Sequence, residues 1–379
     1  MNDQKKGTTG SERLVSLDVF RGITIAAMIL VNNPGNWDYV FTQLEHADWH
    51  GWTFTDLIFP FFLFIVGVAI VFAFSKRISN KASKKDLYIK IIRRTLIIYL
   101  LGLFLNGFPD FDWATLRVMG VLPRIAICYF FASMIYLHSN WKGQSIWAVA
   151  LLLIYWGMML FIPVPGAGAG VLEVGKNFSN YIDSILLKGH MWSYTLTWDP
   201  EGIVSTLPAI STTLFGVLAG NWLKTNKSPV EKTLGLIMMG NAGLLLGIIW
   251  NNFLPINKKI WTSSYAVLTA GLALICLAFC YYIIDVKGKR KWIQPALVFG
   301  TNAIAAYVLA GILEELFISV IKLYARDGSI QNFQSWLYQN AFASWLGPLY
   351  GSLGYAICFV LLNYLIVLIL YKKKIFIKV

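Results

Sequence analysis

Charged residues are scarce in this chain. They make up 13% of its 379 residues, about half the share of an ordinary soluble domain. Cysteine is equally thin: Cys128, Cys276, Cys280 and Cys358 all fall inside apolar runs, where they read as small core side chains. Neither a disulfide framework nor a thiolate metal site follows from them. Hydrophobic residues fill the space instead, at 57% of the chain and a mean hydropathy of +0.61. These shortages exclude disorder, a small secreted scaffold and most cytosolic enzymes. They point to a polytopic membrane protein.

A helix needs about 20 mainly apolar residues to cross the hydrocarbon. Ten such runs lie near 17–33, 54–75, 88–107, 117–138, 145–162, 203–223, 231–253, 262–284, 294–321 and 350–371. Their continuity excludes an outer-membrane barrel, whose strands alternate over about 10 residues. The expected fold is therefore all-α, a bundle of about ten membrane helices. No internal repeat or low-complexity tract divides it, so 1–379 reads as one domain.

The net charge of +13, from 32 Lys and Arg against 19 Asp and Glu, is distributed unevenly. Segments sharing a side with the N-terminus carry Lys5, Lys6, Arg13, Lys76, Arg77, Lys81, Lys84, Lys85, Lys90, Arg93 and Arg94. The same side then takes Lys142, Lys224, Lys227, Lys232, Lys287, Lys289, Arg290, Lys291, Lys372, Lys373, Lys374 and Lys378. The opposite side has Lys176, Lys188, Lys258, Lys259, Lys322 and Arg326, with Arg117 at its margin. This asymmetry places both termini in the cytoplasm. It also removes nucleic acid as a partner, because the positive charge is a topology signal. Asp18 and Arg21 interrupt the first run and no small-residue cleavage pattern follows it, so a cleavable signal peptide is not expected. Gly216/Gly220 and Gly243/Gly247 suit close helix packing in a lipid bilayer. Oligomeric state, a homo-oligomer included, stays open.

Two outer segments are more than connectors. The first, 34–53, has no Lys or Arg but contains Asp38, Glu45, Asp48, His46 and His50. The second, 163–202, is broken early by Gly and Pro and ends in Asp199, Pro200, Glu201 and Gly202. His190 brings the outer histidines to three of four, and imidazole suits proton transfer near neutral pH. Trp37, Trp49, Trp52, Trp192 and Trp198 are consistent with an interfacial aromatic belt. His46 and His50 are four apart, compatible with a metal pair, but such spacing alone is weak and no metal is assigned.

Charges within spans are costly and mark functional positions. Asp18 and Arg21 are candidates for a structural pair. Arg117 and Arg124 are seven residues apart, two turns of a helix, so they are expected on one face about 10 Å apart. Two buried cations so placed suit an elongated anion; pairing with Asp56 or another buried acid is the competing reading. Asn32 ends the first span, Asp56 starts the second, and His46 lies between them. A donor, an acid and a base at one membrane boundary are parts for acyl or proton transfer.

At these residues the chain resembles the heparan-α-glucosaminide N-acetyltransferase family. The matching stretches are RLVSLDVFRG (13–22), HADWHGWTFTDLIFPFFLFIVG (46–67), LRVMGVLPRIA (116–126), DPEGIVSTLPAI (199–210) and FGTNAIAAY (299–307). They run through most of the chain, and the second and fourth are quite specific. The resemblance implies a membrane enzyme that passes acetyl from cytoplasmic acetyl-CoA to the amine of a terminal glucosamine on the far side. It implies His46 as the active-site histidine and Asn32 as the active-site asparagine; the residues themselves suggest Asp56 as the acid that orients the imidazole. Arg21, Arg117, Arg124 and Asn302 are then expected to bind the coenzyme, Arg21 and Arg124 from the inner half. Trp49, His50, Asp199 and Glu201 are expected on the acceptor side. His50 stands where the animal enzyme has asparagine, so no catalytic role is given to it. The large N-terminal lumenal domain of the animal enzyme has no counterpart in this sequence, and a bacterial inner membrane is the expected location. Two other functions fit parts of the pattern: a secondary transporter for amino sugars, disfavoured by the lack of a repeat, and an O-acetyltransferase of a cell-envelope glycan.

Overall fold

The apolar runs fold as helices whose ends are set by capping residues and prolines. The computed structural model describes residues 14–81, 83–324 and 330–377; Lys5, Lys6, Arg13, Arg326 and Lys378, counted above for orientation, lie outside them. Helix α1 (Val15–Asn32) stops before Pro34, and α2 (Phe54–Ser79) starts after Thr53, whose N–H donates to the Asp56 carboxylate at 2.9 Å. Ser83, Asn140 and Asn177 cap α3 (Lys84–Gly107), α5 (Trp141–Phe161) and the short α6 (Phe178–Leu186) through their side-chain oxygens. Each accepts an N–H that the first helical turn leaves unpaired. Between them α4 spans Val121–His138. The remainder is α7 (Thr206–Leu223), α8 (Pro229–Trp250), α9 (Ser263–Cys280, wound on to Val286), α10 (Gln294–Thr301) and α11 (Ala303–Glu315, wound on to Val320). A small antiparallel hairpin, Lys322–Tyr324 with Ile330–Asn332, and two short helices, α12 (Phe333–Tyr338) and α13 (Ser344–Leu346), precede α14 (Pro348–Lys372).

Eight of these helices are long and apolar enough to cross a bilayer, those of α1, α2, α4, α5, α8, α9, α11 and α14. The other two expected spans are helical for different reasons. The first half of α3 carries Lys84, Lys85, Asp86, Lys90, Arg93 and Arg94, whereas α7 buries Thr206, Ser211, Thr212 and Thr213 inside the bundle. The expected ninth span is not continuous: it breaks at Asn302 between α10 and α11.

Helix α7 threads the middle and packs closely on α2. A Cβ on Gly67 would lie 1.9 Å from the Thr213 carbonyl oxygen, and one on Gly216 would lie 2.0 Å from that of Phe64. Only glycine permits that backbone approach, the usual device where apolar packing gains nothing from expelling water. Around the crossing Leu63, Phe64, Ile65, Leu214 and Val217 are fully enclosed. Successive long helices run up and down. The C-terminal ends of α1 and α11 and the N-terminal ends of α2, α4, α7 and α9 therefore share one end of the bundle. Five connecting segments cover that end: 33–53, 108–120, 162–205, 251–262 and the described parts of 321–347.

Candidate active site

The site begins with the cap of α2. Asp56 sits three residues after Thr53, where a carboxylate reaches back to the cap N–H. Its Oδ2 accepts from the N–H groups of Thr53 at 2.9 Å and Ala47 at 3.1 Å. Its Oδ1 lies 2.6 Å from Nδ1 of His46. An ionised carboxylate only accepts, so Nδ1 carries the hydrogen and Nε2 keeps a free lone pair. Asp56 is 1% exposed, while the His46 side chain is 39% exposed. A buried acid thus holds an accessible imidazole in one tautomer.

That imidazole lines a cavity of about 60 Å³ together with Asn32, Thr55, Glu201 and Lys258 on an apolar floor of Met28, Ile58 and Phe59. Asn32 and Met28 also line a second cavity of about 150 Å³, which adds Tyr307, Glu314 and Glu315 from α11. Asn32 therefore stands between two spaces. The structure brings Asn32 and His46 to one cavity, with Asp56 behind His46.

Opposite His46, the segment before α7 supplies the acids. Arg117 donates from Nε and Nη2 to the two carboxylate oxygens of Asp199 at 2.8 and 2.7 Å, and from Nη2 to Oε2 of Glu201 at 2.6 Å. Asp199 also accepts from the N–H groups of Trp192 and Glu201. Glu201 is 4% exposed, and Nζ of Lys258 lies 4.0 Å from its Oε1. Burial alone pushes the Glu201 carboxyl up, but Lys258, Arg117 and Arg124 outweigh it and hold it below the usual range. Lys258 also acts on His46: with burial adding to it, this cation outweighs Asp56 and lowers the imidazole below its ordinary value. The histidine is then neutral at neutral pH, the form that accepts a proton.

Several expected positions are corrected. Arg117 and Arg124 do not share a helical face, because α4 begins only at Val121 and Arg117 lies in the extended stretch before it. Gly120, at φ +138°, makes the turn between them. Arg124 belongs to the His46 end, not the inner half. Its Nη2 donates to the Gly202 carbonyl and the Ser205 hydroxyl, and the guanidinium lies 5.2 Å from the centre of the Trp261 ring. Both arginines are tied to the 199–205 segment, and they do not form one track along a helix face. Asn302 is also spoken for: its amide donates to the Ile375 carbonyl and accepts from the Ile377 N–H, pinning the segment after α14. Arg21 is at the end opposite His46, donating to Asp18 at 3.0 Å and the Gly300 carbonyl at 3.1 Å.

Trp49 and His50 serve the loops. The indole N–H of Trp49 donates to the Leu172 carbonyl, and its ring meets Trp198 edge-on. Nδ1 of His50 lies 3.5 Å from the Asn257 amide nitrogen, with burial lowering the imidazole. His190 braces the Leu116 carbonyl through Nδ1. No group of three His, Cys, Asp or Glu among the described residues is arranged to hold a metal. Lys258 was only one of six outer cations in the sequence. Nothing in its neighbours, Asn257 and Lys259, marks it for the cavity.

A buried acid holding an imidazole that shares a cavity with Asn32 suits acyl chemistry. Residues 13–249 match the sequence model of the heparan-alpha-glucosaminide N-acetyltransferase catalytic family. The chain belongs to this family. Among its relatives are the heparan-alpha-glucosaminide N-acetyltransferases of Mus musculus, 28% identical over 98% of this chain, and of Homo sapiens, 29% identical over 97%. The chain spans about three-fifths of the length of each, 61% and 60%. The family match includes Asn32, His46, Asp56, Arg117 and Glu201, and ends before Lys258.

Proposed function

We propose that this chain transfers acetyl from acetyl-CoA to the amine of glucosamine or a related amino sugar. One observation carries the reading: in a chain of this family, an imidazole steered by a buried carboxylate faces a cavity that also presents an amide. The acceptor nitrogen attacks the thioester carbonyl carbon and its proton goes to Nε2 of His46. Asn32 donates to the carbonyl oxygen as it becomes an oxyanion. When the C–S bond breaks, the proton passes from His46 to the departing thiolate. Asp56 keeps the tautomer and stabilises the transient imidazolium, as a triad acid does. Glu201 takes the acceptor's ammonium or hydroxyls through Oε1, with Asp199 and Arg117 fixing its position. Trp49 and His50 frame the entrance.

The donor enters from the other end. There the basic residues that flank the helices, with Arg21 on α1, offer charge for its phosphates. Eleven residues of α1 separate Arg21 from Asn32, about 16 Å of rise, a span for the neutral pantetheine arm. We place that end, with both termini, on the cytoplasmic face of a bacterial inner membrane, and His46 on the far face.

Purified protein given labelled acetyl-CoA is expected to acetylate glucosamine and to leave its N-blocked analogue unlabelled. Equal labelling of the blocked sugar would convert the reading to O-transfer. Sugar uptake into vesicles without acetylation would replace it by a carrier. Single-turnover labelling without sugar checks the direct attack: trapped acetyl-protein would put an acetyl-imidazole in its place.

A further inference from the structure

The segment 251–262, beyond the family match, is laced to the segment that carries His46. The Gly51 N–H donates to the Ile256 carbonyl at 2.7 Å. Nζ of Lys259 donates to the Asp48 carbonyl at 2.6 Å. Asn257, fully buried, closes its own turn by accepting from the Ile260 N–H through Oδ1, while its carbonyl accepts from the Thr262 N–H. The two adjacent lysines are thereby sent apart. Lys259 spans the loops, and Lys258 turns inward, its side chain 13% exposed, into the cavity with His46 and Asn32.

A lysine placed there is not explained by pairing alone. Glu201 already has Arg117 at 2.6 Å, whereas Lys258 stands off at 4.0 Å, beyond hydrogen-bond reach. Its ammonium is therefore a nearby charge in a poorly solvated space, where such charges act strongly. We propose that Lys258 is a positioning residue that keeps the charge balance of the cavity in favour of a proton-accepting His46, so that the acceptor amine rather than solvent supplies the proton. This rests on the reading of His46 as the base. The other charges facing His46 are Asp56 from α2 and Glu201 before α7, the latter backed by Arg117. Beyond Asn32 lie Glu314 and Glu315 of α11. Asp56 and Glu201 favour the imidazolium, and Lys258 is the cation set against them.

Carbethoxylation by diethylpyrocarbonate, which attacks only neutral imidazole, reads the proton affinity of His46 without requiring turnover. The His46 peptide is followed by mass spectrometry in the full-length protein from about pH 5 to pH 8, with His138 at the other end of the bundle as internal reference. In the wild type the midpoint is expected below the usual 6.5 of histidine. Lys258→Met should move it to higher pH, because removing a cation makes the imidazole easier to protonate, while Lys258→Arg should leave it in place. The acid limb of kcat/KM should follow, so the Met variant loses activity several-fold more than wild type between about pH 8 and pH 6. An unmoved midpoint in Lys258→Met, or an equal displacement in Lys258→Arg, overturns the proposal. Absence of any acetyl transfer by the wild type would instead sink the enzyme reading, with the modification midpoints unaffected.

Discussion

The two ends of the bundle use the same residue types to opposite effect. At the end holding Arg21, polar groups lock backbone: Arg21 joins Asp18 to the Gly300 carbonyl, Asp285 accepts from the Ser16 N–H, and Asn302 holds both Ile375 and Ile377. Helices α1 and α10 meet there so closely that a Cβ on Gly22 would fall 1.7 Å from the Ala296 carbonyl oxygen. At the end holding His46, the polar groups are also largely tied, but several of their residues line a cavity. His46, Asn32 and Glu201 all line the cavity. Buried polar groups that rigidify a fold satisfy one another, whereas those that bind or react must keep one valence for something else. Perturbing the groups that line the cavity should therefore cost catalysis, and perturbing those that only lock backbone or one another should cost stability.

The largest contrast is expected from the dyad. His46→Ala should lower kcat/KM for acetyl transfer by about 10²–10⁴-fold, the usual range for a lost general base, with little change in melting temperature because the side chain is partly exposed. Asp56→Asn should also impair kcat, since an amide no longer enforces the tautomer that frees Nε2. An Asp56→Asn enzyme with wild-type kcat would break the comparison, reducing the His46–Asp56 contact to a helix cap.

A sharper case is Arg117, which belongs to the active end but serves it through structure. Arg117→Met leaves Asp199 and Glu201 buried beside each other without their shared partner. Removing one member of such a group costs about 3–5 kcal/mol, read as a large fall in thermal stability in detergent. Adding Glu201→Gln, which deletes one stranded charge, should restore part of that loss. If the double variant melts no higher than the single one, the network is not the electrostatic unit that its distances describe.

Arg117 also shows where the sequence stops being legible. The apolar runs needed only their own composition to be read as helical, although the fourth begins late and the ninth breaks in two. The His46–Asp56 pair spans ten residues and one helix cap, so a base and an acid at the same boundary were readable locally. The Arg117–Asp199 pair joins residues 82 apart. That contact draws Arg117 out of the helix, so arithmetic that assumed a continuous α4 put Arg117 and Arg124 on a face they do not share. The break at Asn302 was hidden for a related reason: apolar residues flank it on both sides, and the partners that justify it lie beyond α14. Lys258 reaches the cavity only because Gly51 and Lys259 tie two distant loops together, a register that no local pattern encodes.

The smallest effect is expected at Asn302, and it bears most directly on the contrast between the two ends. The FGTNAIAAY stretch made this residue a candidate for the coenzyme, yet its amide has one partner on each side, the Ile375 carbonyl and the Ile377 N–H. Asn302→Ala removes two hydrogen bonds to a terminal segment whose backbone groups can turn to water, so the net loss is about 0.5–1.5 kcal/mol per bond at most. The expected phenotype is a small drop in melting temperature and faster proteolysis after Lys372, with KM for acetyl-CoA unchanged. A raised KM for the donor with an unaltered melting temperature would show the amide meeting the coenzyme after all, and Asn302 would then join Arg21 in holding the donor at that end.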